Sequence, residues 1–410
     1  MTNFKTRLAT AIATGAVLAN TIVPSAFATS LTITGNGSNS DSTINVSTDT
    51  KVDVNQDNDA NFDNNIDVNS STGNNSVSDN TGGDVSVKTG DSDVDVTIDN
   101  KANANYANVN PCCQQGDLKV DVSGNGTNSD NDVDVDFDSD IDVDQDNDAD
   151  FDNDVDVDSD TGDNDADDNT GGDVSIETGD SNVDVTIKNK ANYNSATVGG
   201  GNGDGGKVSA FILGNGSNSD NDIDLDFDND VDLDQDNDAD FDNDVDVDSD
   251  TGDNDADDNT GGDVSIDTGN STVDVTLDNM ANFNIADVDA CGCLEDLKAK
   301  IAGNGTDSDN RIDFDSDSDL DVDQDNDADF DNDVDVDSDT GDNDVEDNTS
   351  WEGSDPSIET GASDVTVDDT NTGNLNLYGP DADVDLGDLH LDLSFDLGDI
   401  LEWLIGHASN

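Results

Sequence analysis

The chain has very little positive charge. Twelve Lys and Arg stand against 102 Asp and Glu in 410 residues, for a formal net charge of −90. Nucleic-acid recognition needs basic surface to displace phosphate counterions, so no nucleic-acid partner is expected. An anionic membrane surface would repel such a chain. Histidine occurs only at His390 and His407, which leaves little for imidazole catalysis or imidazole metal sites. Aromatics make up 4% of the residues, a poor supply for a large globular core. No run after residue 28 approaches the ~20 apolar residues of a spanning helix, so no membrane span is expected. There is no G-x-S-x-G, no phosphate-cradling glycine loop and no plausible Cys–His pair. Carboxylates are too abundant for any pair to stand out as acid and base. The chain is therefore expected to be non-enzymatic, with no catalytic or cofactor-binding residue.

What is present begins with a leader. Residues 1–28 carry Lys5 and Arg7, then an apolar stretch from about Leu8 to Val23, then Ala26-Phe27-Ala28. This is the pattern of a signal peptide cleaved after Ala28, so an extracellular or cell-surface product is expected.

The rest is a repeat array. Gly-Asn-Gly-[Ser/Thr] recurs at Gly35, Gly124, Gly214 and Gly303, with spacings of 89, 90 and 89 residues. The units read as repeat 1 over 29–119, repeat 2 over 120–210, repeat 3 over 211–300 and a degenerate repeat 4 over 301–378. Residues 379–410 form a distinct tail, expected to cap the last coil or to serve in assembly. Short variable linkers are expected near 101–119, 190–210 and 280–300.

From Asp132 to Asp160 every even position is Asp, while Val133, Val135, Phe137, Ile141, Val143, Phe151, Val155 and Val157 fall on odd ones. A period of two means β structure with one acidic and one mostly apolar face. One straight strand of that length would span ~100 Å, far beyond the usual size. The polar interruptions at Ser139, Gln145, Asn147, Asn153 and Ser159 are therefore expected to be corners. Thr161-Gly162, Thr170-Gly171-Gly172 and Thr178-Gly179 mark further turns. The expected fold is all-β, a repetitive β-solenoid of short strands with a C-terminal cap. Disorder in the absence of cations is the competing expectation, given the charge and the scarcity of aromatics.

Stacked coils bring like charges to within ~4.8 Å, where each pair repels by ~0.9 kcal/mol even at the dielectric of water. Summed over dozens of pairs, that exceeds the ~5–15 kcal/mol of typical native stability, so a counterion is needed. Calcium, with its 6–8 oxygen ligands in flexible geometry, suits carboxylates on adjacent rungs. The candidate ligands are Asp134, Asp136, Asp142, Asp144, Asp224, Asp226, Asp232 and Asp234. No standard loop is met: Asp156-Val157-Asp158-Ser159-Asp160-Thr161-Gly162 resembles an EF-hand start, but its Gly comes one place late. Repeat 1 replaces several outward acids with Asn45, Ser47, Lys51, Asn55 and Asn61 yet keeps its apolar row. The inner row thus defines the coil, and the acids are an added property.

Cys112, Cys113, Cys291 and Cys293 are disulfide candidates in an exported chain, with pairing left open. Asn36, Asn125, Asn215 and Asn304 open N-G-[S/T] sequons, which read first as Asn-Gly turns.

The copies of TGDNDADDNTGGDVSIETGDSNVDVTI, with the leader before them, resemble uncharacterised secreted Asn/Gly/Asp-rich repeat proteins of bacteria, of candidate-phylum type. More loosely, the Asn- and Gly-punctuated strands look like curlin-type β-repeats. The resemblance implies a surface, fibre or matrix role and supplies no catalytic residues. The expected function is that of a calcium-dependent structural or adhesive β-solenoid, with calcium ions and a self or surface partner. The alternatives are a mineral- or ice-surface binding module and an acidic disordered polyelectrolyte that buffers ions.

Overall fold

In a computed structural model, residues 4–14, 19–22, 29–109, 117–199, 206–288, 294–350 and 355–379 are described. Strands β1 (Phe4–Thr14) and β2 (Ala19–Ile22) precede four successive coils. The first coil holds β3 (Thr29–Thr34), β4 (Asp41–Ser71), β5 (Val85–Lys88) and β6 (Ser92–Val109). The second holds β7 (Leu118–Ser123), β8 (Asp130–Asp160), β9 (Val174–Glu177) and β10 (Ser181–Val198). The third holds β11 (Gly206–Leu213), β12 (Asp220–Asp250), β13 (Thr260–Gly261), β14 (Val264–Asp267) and β15 (Ser271–Val288). The fourth holds β16 (Leu294–Ala302), β17 (Asp309–Asp339), β18 (Thr349–Ser350), β19 (Ser357–Glu359) and β20 (Ser363–Tyr378).

Each repeat is one rung. Equivalent strands pair in parallel across rungs, so β4, β8, β12 and β17 form one sheet and β6, β10, β15 and β20 another. The register places Asp130 on Asp220 and Asp160 on Asp250 without a slip. The expected all-β solenoid is therefore the fold. Its rung, of 89 or 90 residues, is a flattened coil with two walls. One wall is the 31-residue strand of each rung. The other is the 18-residue strand followed, after a connection, by the short first strand of the next rung. Val155 and Val157 meet Val183, Val185 and Ile187 between the walls. Phe151 and Ala149 meet Ala191, and Val133 and Val135 meet Val120 and Val122.

The expected corners inside the acidic block are absent. β8 runs unbroken through Ser139, Gln145, Asn147, Asn153 and Ser159. Gln145, Asn147, Asn153 and Ser159 are fully buried. They stay in the strand because each finds its own kind one rung away. Asn147 donates to Asn237 Oδ1 at 2.9 Å, Asn153 to Asn243 Oδ1 at 2.7 Å, and Gln235 to Gln145 Oε1 at 2.7 Å. A buried amide costs little when both its donor and its acceptor are satisfied. The Thr-Gly turns do lie where the spacing puts them: Thr161-Gly162 follows β8, Thr170-Gly171-Gly172 precedes β9, and Thr178-Gly179 separates β9 from β10.

Of the stretches expected as linkers, 101–119, 190–210 and 280–300, the described residues are largely strand, while 110–116, 200–205 and 289–293 lie outside the described residues. Their alternation is hidden by a one-residue bulge. Asn192 sits at φ +60 and drops out of the register between Ala191↔Ala281 and Tyr193↔Phe283. Odd residues face inward before it, ending at Ala191, and even ones after it, at Asn194, Ala196 and Val198. Asn tolerates the left-handed conformation. Its amide is also used, donating to Asn282 Oδ1 at 3.1 Å and to the Asp238 carbonyl across the core. Asn103, Asn282 and Asn374 repeat the device in the other rungs.

The segment read as a leader places β1 and β2 parallel along the outer edge of β6. Residues 380–410, the expected cap, lie outside the described residues.

Candidate functional site: the acidic wall

The outward face of the long strands is the candidate site. Inward Val, Ile, Phe, Asn and Gln lock β8 and β12 in register, and the pleat then sends every even Asp to the opposite side. The eight candidate ligands fall into four facing pairs: Asp134 with Asp224, Asp136 with Asp226, Asp142 with Asp232, and Asp144 with Asp234. The fourth rung continues these columns with Asp313, Asp315, Asp321 and Asp323. Neighbouring strands lie ~4.8 Å apart, and alternate residues on one strand ~6.6 Å apart. The face is thus a two-dimensional array of carboxylates.

The array carries electrostatic strain. Partial burial, followed by facing carboxylates, pushes the carboxyl of Asp134 above its ordinary range, with Asp224 and Asp136 the largest neighbours. Asp144 is raised by burial and by Asp142 and Asp57. Burial with Asp142 and Asp321 raises Asp232, and burial with Asp144 and Asp323 raises Asp234. Asp146, Asp148, Asp236 and Asp240 shift the same way for the same reasons.

The first rung relieves its neighbour. Lys51 Nζ lies 2.7 Å from Asp140 Oδ2. Asn61, Asn65 and Asn69 donate to Asp150, Asp154 and Asp158 at 2.9, 2.9 and 2.7 Å. Here Asn and Lys stand where later rungs have Asp, and donors replace repulsion.

Two acidic features escaped the reading of the sequence. One is the column Asp160–Asp250–Asp339 at the ends of the long strands. Gly162 and Gly252 N–H groups donate to Asp160 and Asp250 Oδ1 at 2.6 and 2.5 Å. Burial, helped by Asp253, Asp160 and Asp339, nevertheless raises Asp250 to about 7. The signal was available: Asp-Thr-Gly closes the alternating blocks of repeats 2, 3 and 4, and an Asp two residues before a turn glycine folds back on its N–H. The other is the turn block, where Asp165 stacks on Asp255 and Asp255 on Asp344. Asp167 beside it is raised to about 6, mainly by burial, with Asp165 and Asp255 adding repulsion. Turn chemistry drew attention there to glycine rather than to the acids.

Among the described residues, no three His, Cys, Asp or Glu side chains converge on a common metal position. The described acids are arranged in rows rather than in closed cages. Asn125 and Asn215 of the sequons are buried in an amide ladder, Asn125 donating to Asn131 Oδ1 at 2.5 Å. Cys112, Cys113, Cys291 and Cys293 lie outside the described residues. No helix among the described residues is long and apolar enough to cross a membrane. In comparisons with family models, curated proteins and solved structures, nothing matches this chain.

Proposed function

We propose that this is an exported, non-enzymatic repeat protein of the cell surface or matrix, whose acidic wall is neutralised and stiffened by calcium. The observation that supports this reading is the facing of Asp with Asp across rungs at one strand spacing. Calcium sits 2.3–2.6 Å from oxygen, so an ion midway between oxygens ~4.8 Å apart reaches both. Magnesium, at 2.0–2.1 Å with strict octahedral demands, fits that gap less well. Each ion takes carboxylates from neighbouring rungs and completes its shell with water. The mechanism is ion-coupled rigidity, and calcium held at the surface bridges to acidic groups on a partner, which gives adhesion.

The test is far-UV circular dichroism and equilibrium dialysis of the exported chain against calcium, with magnesium and sodium at matched ionic strength. A calcium-selective gain of β structure or thermal stability, with saturable uptake, supports the reading. Equal responses to all cations at one ionic strength overturn specific ligation. A second reading, mineral-surface binding, draws on the regularity of the array, ~4.8 by ~6.6 Å. Altered growth of a calcium mineral at low protein concentration would favour it.

A further inference from the structure

The two ends of the solenoid are sheet edges that fit each other. At one end, β17 and β20 each pair on one side only. Ile312, Phe314, Val365 and Val367 are 43–52% exposed there, whereas their inner-rung counterparts Ile223, Leu225, Val273 and Val275 are at 0–1%. At the other end β4 pairs only with β8. An unpaired parallel edge carrying apolar side chains is a template for another strand.

We propose that the fourth rung of one molecule docks on the first rung of a second copy, so that the solenoid continues head to tail. Two observations select this occupant. The first is sequence register: the core pattern of β17 repeats that of β4, so Gln324, Asn326, Phe330 and Asn332 would meet Gln56, Asn58, Phe62 and Asn64 and extend ladders already present in the molecule. Where inner rungs stack Phe137 on Phe227, the two ends carry Ser316 and Thr48, which pair as hydroxyls. The second is charge. The first rung presents Lys51, Asn55, Asn61, Asn65 and Asn69 to the columns ending in Asp319, Asp323, Asp329, Asp333 and Asp337. The donors that relieve the second rung from one side would relieve the fourth from the other.

Two features limit the junction. Asp369 occupies the inward position of Ile98, Ile187 and Leu277, with the Asn332 amide donating to it at 3.1 Å. An inward charge at an edge weakens pairing and keeps assembly concentration-dependent. The leader strands β1 and β2 lie on β6 over Ser92–Ala102 and Tyr106–Val109, the edge that a second copy's β20 would take. Removing the leader exposes it.

The experiment expresses the full chain in an exporting host, so that the leader is removed in place, and compares it with leader-retaining protein. Sedimentation and electron microscopy are run in calcium, and separately in ~1 M sodium chloride, where the Debye length is ~3 Å. Leader-free protein is expected to form filaments with an axial repeat of ~19 Å, four strand spacings, in both conditions. Asp369→Leu should lower the critical concentration at least about ten-fold, and Phe314→Asp should raise it about a hundred-fold, because a junction charge would lose its water. Filaments in high sodium alone would count against the calcium reading and leave this junction standing. Monomer at every concentration for both the native chain and Asp369→Leu overturns the proposal. So does assembly seen only after deletion of residues 380–410, which would assign the edge to the tail.

Discussion

Phe151 lies flat on Phe241, with ring centroids 4.8 Å apart and planes within 2° of parallel. That separation is one strand spacing, so the ring stack and the backbone ladder share a single repeat. Identical side chains in register make the rung a unit that can be added without redesign. Phe62 and Phe330 continue the column at both ends. Phe241→Ala should therefore cost ~3–5 kcal/mol of unfolding free energy, the usual penalty for emptying an aromatic core site. Phe227→Ser should cost clearly less, since the fourth rung already has Ser316 at that position. Urea denaturation in a fixed cation background measures both, and equal costs would refute a column centred on Phe241.

The amide ladders invite a different substitution. Asn237 accepts from Asn147 at 2.9 Å and donates to Asn284 and Asn326 at 2.6 and 2.8 Å. Asn237→Leu removes one member and leaves buried amides on both sides without their partner. The expected loss is ~1–3 kcal/mol, despite the more apolar side chain. A neutral or stabilising result would show that water replaces the missing partner.

How far the sequence was legible follows from which signals are local. Strict alternation around Val133–Val157 announced β structure and the acidic face, because a period of two survives in the letters. The evenly spaced turn signals announced stacking, but not that a whole repeat makes one rung. Strand length was not legible: Gln145 and Asn153 look like breaks in one copy, and only the pairing of each with its counterpart a rung away makes them interior. The returning wall was missed because Asn192 shifts the inward phase by one residue, which erases periodicity on either side of it. Of the site, carboxylates stacked between rungs were expected, but not which Asp faces which. The raised Asp250 was not, because its burial comes from neighbouring rungs and a turn.

Gly162 shows how tightly the rungs meet. A Cβ built there would fall 1.9 Å from the Gly252 carbonyl oxygen. Backbone has to move to make room, so Gly162→Ala should cost ~1–3 kcal/mol, the range for overpacking. Gly35 gives the contrast: φ is +74, but nothing lies within 4 Å of an added Cβ. Gly35→Ala should cost ~1–2 kcal/mol, the conformational part alone. Thermal melts of the two variants side by side test the difference, and a larger loss at Gly35 would contradict the close approach.

Acid should stabilise this protein when metal is withheld. Asp250 and Asp167 are raised to about 7 and about 6, and Asp134, Asp144, Asp232 and Asp234 are raised as well. An unfolded Asp titrates near ~3.9. Between that value and the folded value the native state binds more protons than the unfolded chain, so unfolding free energy falls as pH rises. The proton-linked contribution is complete below ~3.9 and is lost by about pH 7, where Asp250 ionises. In chelator, the melting temperature should therefore fall steadily from pH 4 to pH 7.5, and Asp250→Asn should flatten the upper part of that fall. Calcium competes with protons for the same oxygens, so about 10 mM calcium, enough to fill weak extracellular-type sites, should raise stability most at the high-pH end. The slope then flattens or reverses. A chelated protein that grows more stable between pH 4 and 7 would mean that the carboxylates are not in conflict, and the case for calcium as their counterion would fail with it.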